Sequence, residues 1–229
     1  MMKGIRGILF DKDGTLFDFQ ATWGAWARQL LGELSGGDPA RAAAMAEAMA
    51  FDLDRGRFRP ESPVIAGTGR EVAELLAPLA GLSADALEAR IARAAAEAPL
   101  AEAVPLRALL ERLRGAGLKL GVATNDFESV ARQHVAGVIE LFDFVAGFDS
   151  GHGGKPEPGM LLAFARTAGL APSAVLMVGD SRHDLIAGRR AGMATLAVLT
   201  GVAEAADLSD LADAVRPDIG HLPALLDLA

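Results

Sequence analysis

Cysteine is absent from this chain, which excludes disulfide staples, thiolate nucleophiles and every Cys-type zinc or iron–sulfur centre. Long apolar runs are missing too. Although 51% of the 229 residues are hydrophobic, no stretch approaches the roughly 18 residues of a membrane span. The amino terminus carries Lys3 and Arg6 but reaches Asp11 after only four apolar residues, too few for a secretory signal, so a soluble, cytoplasmic protein is expected. Excess positive charge is also lacking. A net charge of −8 and a pI near 5.0 disfavour a nucleic-acid-binding surface, which needs clustered Lys and Arg. Nothing implies a membrane or an obligate protein partner. Residues 18–100 contain neither Lys nor His, and no internal repeat or linker-like tract appears.

What is present begins at Gly7. The run Gly-Ile-Leu-Phe-Asp-Lys-Asp-Gly-Thr-Leu leads an apolar strand into two carboxylates, Asp11 and Asp13, one residue apart. Continuous Ile8, Leu9 and Phe10 suit the inside of a parallel sheet covered on both faces, whose carboxyl end is where α/β proteins place ligands. In an extended segment residues i and i+2 face the same way, so Asp11 and Asp13 are expected to converge while Lys12 points elsewhere. Gly14 then permits a sharp turn.

After this strand, residues 18 to about 99 show no convincing strand. Helical spacing predicts helices over 20–34 (Trp23, Trp26, Ala27, Leu30, Leu31), over 38–54 with an Asp-Pro start, and near 69–79 and 84–97, the last capped by Ser83. Arg55 to Ser62 reads as a polar break, and the Ala-rich runs read as helix. From about 104 the pattern alternates. Helices are expected over 105–115, 127–136, 158–168 and 184–191, and strands over 118–123, near 144–147, over 174–178 and over 194–199. That alternation predicts a doubly wound parallel α/β sheet. The expected organisation is a discontinuous core of 1–17 and 100–229, interrupted by an all-helical cap of 18–99 with hinges near 17–19 and 100–105.

Three further polar clusters fall where predicted strands stop. Thr124, Asn125 and Asp126 offer a hydroxyl and an amide suited to a phosphoryl oxygen. The Gly-rich loop Ser150-Gly-His-Gly-Gly-Lys-Pro-Glu-Pro presents Lys155, whose ammonium can neutralise both a phosphate and Asp11. Asp180 and Asp184 lie four residues apart, on one face of a helix that starts there. So many carboxylates in one crevice repel one another and raise their pKa values unless a cation sits among them. A hard, oxygen-seeking ion such as Mg2+ answers that need, with Asp11, Asp13 and Asp180 as expected ligands.

Singly, each cluster has a plainer reading: Asp-x-Asp-Gly opens turns and calcium loops, Thr124-Asn125 can cap a helix, Lys155-Pro can be a surface turn, and Asp184 can be an acid near a helix start. A calcium loop needs further acids, whereas Leu16 and Phe17 follow here. It is the order of all four clusters, each tied to a separate strand end, that carries the argument.

In that order the clusters resemble the four signatures of the haloacid dehalogenase superfamily, over essentially the whole chain. The resemblance implies that Asp11 attacks phosphorus to form an aspartyl phosphate and that Asp13 acts as general acid, then base. It further implies that Thr124 and Asn125 hold the phosphoryl group, that Lys155 balances charge, and that Asp184 supports the metal shell around Asp180. Lys12 stands where the family more commonly has an apolar residue. The second Asp argues against the metal-free dehalogenases. The absence of Lys and His from the cap argues against the Schiff-base hydrolases and the sugar-phosphate mutases of similar architecture. Phosphomonoester hydrolysis remains.

Within that branch the chain is similar to bacterial phosphoglycolate phosphatases, through its helical cap and the loop Asp149-Ser-Gly-His-Gly-Gly-Lys-Pro-Glu-Pro. The implied substrate is a small phosphorylated metabolite, 2-phosphoglycolate first, with sugar or nucleotide phosphates, or a non-catalytic binding protein of the same fold, as alternatives. A two-carbon acid needs a donor from the cap, and Arg55, Arg57, Arg59, Thr68 and Arg70 are the candidates, against the plain reading that these arginines are solvated. His152 and His183 flank catalytic clusters. Mg2+ prefers oxygen, so neither is expected to bind it, whereas His152 is a possible substrate contact. Trp23 and Trp26 read as cap packing, with an entrance role open to Trp23. Gly67-Thr-Gly-Arg lacks the third Gly and the preceding strand of a dinucleotide fingerprint.

Overall fold

The computed structural model describes residues 4–65 and 67–228. Its elements in chain order are β1 (Gly7–Phe10), α1 (Phe19–Ser35), α2 (Pro39–Ala48), β2 (Phe51–Asp52), β3 (Arg57–Phe58), α3 (Gly69–Ala80), α4 (Ala84–Ala96), α5 (Leu106–Gly115), β4 (Lys119–Ala123), α6 (Glu128–His134), β5 (Phe144–Ala146), α7 (Gly159–Ala168), β6 (Val175–Gly179), α8 (Arg182–Ala191), β7 (Ala194–Val198), α9 (Ala205–Leu208), β8 (Ala214–Arg216) and α10 (Leu222–Leu225). No helix among the described residues is long and apolar enough to cross a membrane.

Six strands form one parallel sheet in the order β5-β4-β1-β6-β7-β8. All four residues of β1 are buried, as its unbroken apolar run requires. Phe10 is level with Val122 of β4 and Val178 of β6, so the residues after these strands emerge side by side. Chain order reverses at β1, the topological switch point where open α/β sheets bind ligands. Helix α7 closes on one face so tightly that a Cβ on Gly121 would lie 2.7 Å from the Phe164 ring.

Helices α1 to α4 interrupt the sheet after β1 and bury their own apolar cluster, including Trp26, Leu31, Met45, Met49, Leu76 and Leu87. Side chains cap their starts: Asp18 accepts from the Ala21 amide, Asp38 from those of Ala40 and Arg41, Ser83 from that of Ala86, and Thr68 and Glu71 form a reciprocal box. The chain enters and leaves this insert along paired segments. Asp18 N donates to Ala101 O at 2.8 Å and Ala103 N to Leu16 O at 2.9 Å.

The structure corrects the expected layout in three places. Helix α2 stops at Ala48 rather than running to 54, because Ala50 adopts φ 48° and turns the chain into the β2–β3 hairpin. Phe51 and Phe58 face each other across that hairpin with ring centroids 4.8 Å apart, so the insert is not purely helical. The short edge strand β8 and helices α9 and α10 lie beyond the last element that the sequence pattern predicts.

Candidate active site

The level strand ends gather the four polar clusters. Lys155 is buried and its Nζ donates to Asp11 Oδ1 at 2.5 Å and to Asp184 Oδ1 at 2.6 Å. Its main chain is held in turn: Lys155 N donates to Asn125 Oδ1 at 2.7 Å, and Asn125 Nδ2 donates to Lys155 O at 2.9 Å. Asn125 thus fixes the lysine that the Gly-rich loop presents, while Thr124 Oγ1 accepts from the Asp126 amide at 3.1 Å. Helix α8 begins at Arg182, two residues earlier than expected, so Asp184 sits at its third position. There its Oδ2 accepts from Ser181 N and Oγ at 3.0 and 2.6 Å.

Asp11, Asp180 and Asp184 are all buried and each offers an oxygen within 4.8 Å of the other two. Burial is the main reason the Asp11 carboxyl is pushed up to about 7. Lys155 pulls the other way, and Asp184 and Asp13 add to the rise. Burial likewise holds Asp180 well above the ordinary carboxylate range, with the Asp11 and Asp184 charges contributing. One ammonium among three carboxylates leaves negative charge uncompensated. An all-oxygen donor set of this kind fits Mg2+. The turn after β1 comes close to the same place: Gly14 has φ 81°, and a Cβ there would lie 2.3 Å from Asp180 Oδ2.

Asp13 is not part of this carboxylate group, contrary to its expected place beside Asp11 and Asp180. Its side chain meets Lys12, whose Nζ lies 2.8 Å from Oδ1 and 2.7 Å from Oδ2, and Trp23 Nε1 of α1 donates to Oδ1 at 2.8 Å. Lys12 is 0% exposed. It also pairs with Asp126 Oδ2 at 3.2 Å, donates to His134 Nδ1 at 3.0 Å, and stands 5.2 Å from the Trp23 ring centroid. Burial alone would lower the Lys12 pKa, but Asp13 and Asp126 outweigh it and the net shift is upward. Burial and, next, the Lys12 charge push His134 down to about 4, so its ring is neutral at pH 7. An ammonium only donates. Nδ1 is therefore the acceptor, and Nε2–H donates to Ala95 O in the last turn of α4 at 2.9 Å.

Comparison with known proteins agrees with this geometry. Residues 5–192 match the family of haloacid dehalogenase-like hydrolases. The chain belongs to that family. The hydrolase is 36% identical over 122 residues to a phosphoglycolate phosphatase of Neisseria meningitidis, covering 52% of each chain. It is 37% identical over 125 residues to that of Escherichia coli K12, covering 51% of this chain and 48% of the relative. The matched region thus spans about half the length of these curated relatives. The crystal structure of a HAD phosphatase from Thermococcus onnurineus shares the fold, with a TM-score of 0.68, 22% identity, and coverage of 96% of this chain and 97% of that one.

A cavity opens over the hydrolase's strand ends. Its floor includes Asp11, Asp13, Thr124, Asn125, Lys155 and Asp184, with His183 also in the lining. The side contributed by the insert is apolar: Trp23, Trp26, Val64, Ile65, Val72 and Ile91.

The expected substrate contacts Thr68, Arg70 and His152 do not line the cavity, although Gly67 and Gly69 do. Arg70 is tied to Glu74, Asp85 and Glu88 at 2.7, 2.5 and 3.0 Å across α3 and α4. Thr68 is engaged in its capping box, and the exposed His152 ring stacks on Phe144 with centroids 6.4 Å apart. Arg59 pairs with Glu47 and Glu61, and Arg55 with Asp52. Sequence reasoning missed the group formed by Lys12, Asp126 and His134. The one available signal was a lysine set between two aspartates at the end of an otherwise apolar strand.

Proposed function

We propose that this hydrolase is a Mg2+-dependent phosphomonoesterase acting through an aspartyl phosphate on Asp11, with residues 18–99 serving as a cap over a small organic phosphate in the cytoplasm. The observation that carries this reading is Lys155 bridging Asp11 and Asp184 beside Asp180 at the sheet's switch point. Asp11 attacks phosphorus and the bond to the leaving oxygen breaks, that oxygen taking a proton from Asp13. Water then attacks the phosphoryl group, its proton passes to Asp13, and the Asp11–phosphorus bond breaks to release phosphate. Lys155 keeps Asp11 in place and offsets charge, and Thr124 lines the cavity within reach of a phosphoryl oxygen. Asp11, Asp180 and Asp184 would hold Mg2+, which supplies charge stabilisation to the phosphoryl oxygens.

For the substrate, 2-phosphoglycolate is the compound that the relatives' names suggest. A second reading rests on the apolar insert wall, to which, among the described residues, no Arg or Lys side chain contributes. That wall favours a phosphomonoester with a less polar leaving group over a two-carbon acid. The test is phosphate release from 2-phosphoglycolate, sugar phosphates, nucleotides and aryl phosphates, with Mg2+ or chelator. Asp11→Asn is expected to lower turnover by at least about 10⁴-fold while the protein stays folded. Normal turnover in that variant would sink the mechanism.

A further inference from the structure

We infer that Lys12 is a positioning residue for the acid–base carboxylate Asp13, and that it relays the placement of insert helix α4 to that carboxylate through His134, alongside the direct contact from Trp23. The inference rests on the phosphatase reading above. Asp13 follows β1 on a turn, where a short carboxylate has rotamers to choose from. Two donors converge on Oδ1, Lys12 Nζ from the sheet side and Trp23 Nε1 from α1, and Lys12 Nζ also lies 2.7 Å from Oδ2. Lys12 is itself held by Asp126 and by His134 Nδ1, and the far side of the same ring is anchored on Ala95 O of α4. Two insert helices therefore meet one core carboxylate, α4 through His134 and the buried Lys12 ammonium and α1 directly through Trp23 Nε1. Asp13 keeps about 14% exposure and lines the cavity, so it is anchored on one side and accessible on the other. A shift of about 1 Å in a reacting group can cost about 10²-fold in rate, which is the scale on which such an anchor acts.

The two half-reactions separate this role from a merely structural one. With p-nitrophenyl phosphate the leaving group needs no proton, so the first step does not depend on Asp13, whereas hydrolysis of the aspartyl phosphate does. Lys12→Met and Trp23→Phe, each mixed with saturating p-nitrophenyl phosphate and Mg2+ in a stopped-flow instrument, are expected to release about one p-nitrophenolate per site in a burst. Steady turnover should then run about 10-fold or more below wild type, with no comparable burst from the wild-type protein. Trp23→Phe removes the N–H donor together with the pyrrole ring and tests the α1 contact alone, whereas Lys12→Gln, which keeps a polar side chain but no charge, decides the role of Lys12 if Lys12→Met does not fold. Wild-type turnover in the folded Lys12 variant, or a loss shared equally by both steps with no burst, overturns the inference. A wild-type protein that releases no p-nitrophenol overturns the phosphatase reading and this inference with it.

Discussion

Two buried lysines organise this site, and they differ in what they hold together. Lys155 joins Asp11, just after β1, and Asp184, in the first turn of α8, and its backbone is locked by Asn125. Lys12 joins Asp13 and Asp126, but its contacts continue through His134 and Trp23 into the helical insert. The first cluster lies wholly within the sheet domain, outside the insert. The second exists only where insert and sheet meet. A further difference is charge: Lys155 is one ammonium beside three buried carboxylates, Asp11, Asp180 and Asp184, whereas Lys12 faces two, Asp13 and Asp126, and a neutral ring.

The largest contrast is expected from removing each ammonium in turn. Lys155→Met leaves buried carboxylates without their partner, a change that costs about 3–5 kcal/mol in comparable cases. Lys12→Met exposes Asp13 and Asp126 to the same penalty. Mg2+ should separate the two. A divalent ion among Asp11, Asp180 and Asp184 restores the missing positive charge beside Lys155 but lies outside the Lys12 cluster. Thermal melts with and without Mg2+ are therefore expected to show substantial recovery for Lys155→Met and little for Lys12→Met beyond the wild-type gain. Equal recovery would mean that the two clusters are electrostatically one.

The pH dependence of stability should differ in sign between the clusters. Asp11 has a folded pKa of about 7 against an ordinary 3.8, so the folded state holds its proton longer. Its contribution is full below the ordinary value and is lost as pH rises through about 7. His134 is lowered from 6.5 to about 4. The unfolded chain takes up the proton first, and stability falls as pH drops from 6.5 toward 4. Denaturation in chelator between pH 4 and 7.5 should therefore show the two trends opposing each other, and Mg2+ should suppress only the loss on the alkaline side. In His134→Gln the loss on the acid side should shrink. A curve that Mg2+ leaves unchanged would detach Asp11 from any metal.

How much of this was legible in the sequence follows the same divide. The Lys155 cluster could be read because strand ends in a parallel sheet are level, and β1, β4 and β6 are marked by apolar runs. The Lys12 cluster could not. Alternation places Lys12 away from Asp13 only while the chain stays extended, but β1 ends at Phe10. The amides of Leu16 and Phe17 then both bond to Lys12 O, at 2.9 and 3.1 Å, so a tight turn replaces the strand and the long side chain curls back. Insert contacts were illegible for another reason. Whether Arg70 faces a cavity or a neighbouring helix depends on how α3 packs on α4, which spacing within either helix does not encode.

Arg70 also supplies the mildest expected effect and a control on the comparison. It meets three acids, more carboxylates than either buried lysine contacts, yet its side chain is 39% exposed. Solvent screens such pairs and competes for their hydrogen bonds, so the number of partners counts for less than their burial. Arg70→Ala is expected to leave turnover within about twofold and the melting temperature close to wild type, because exposed ion pairs contribute little. A large loss of stability would show that charge count, rather than burial, sets the weight of an ion pair here, and the contrast drawn between Lys155 and Lys12 would lose its basis. A selective loss of affinity for 2-phosphoglycolate would instead bring Arg70 back to the substrate, by way of a rearranged α3–α4 pair.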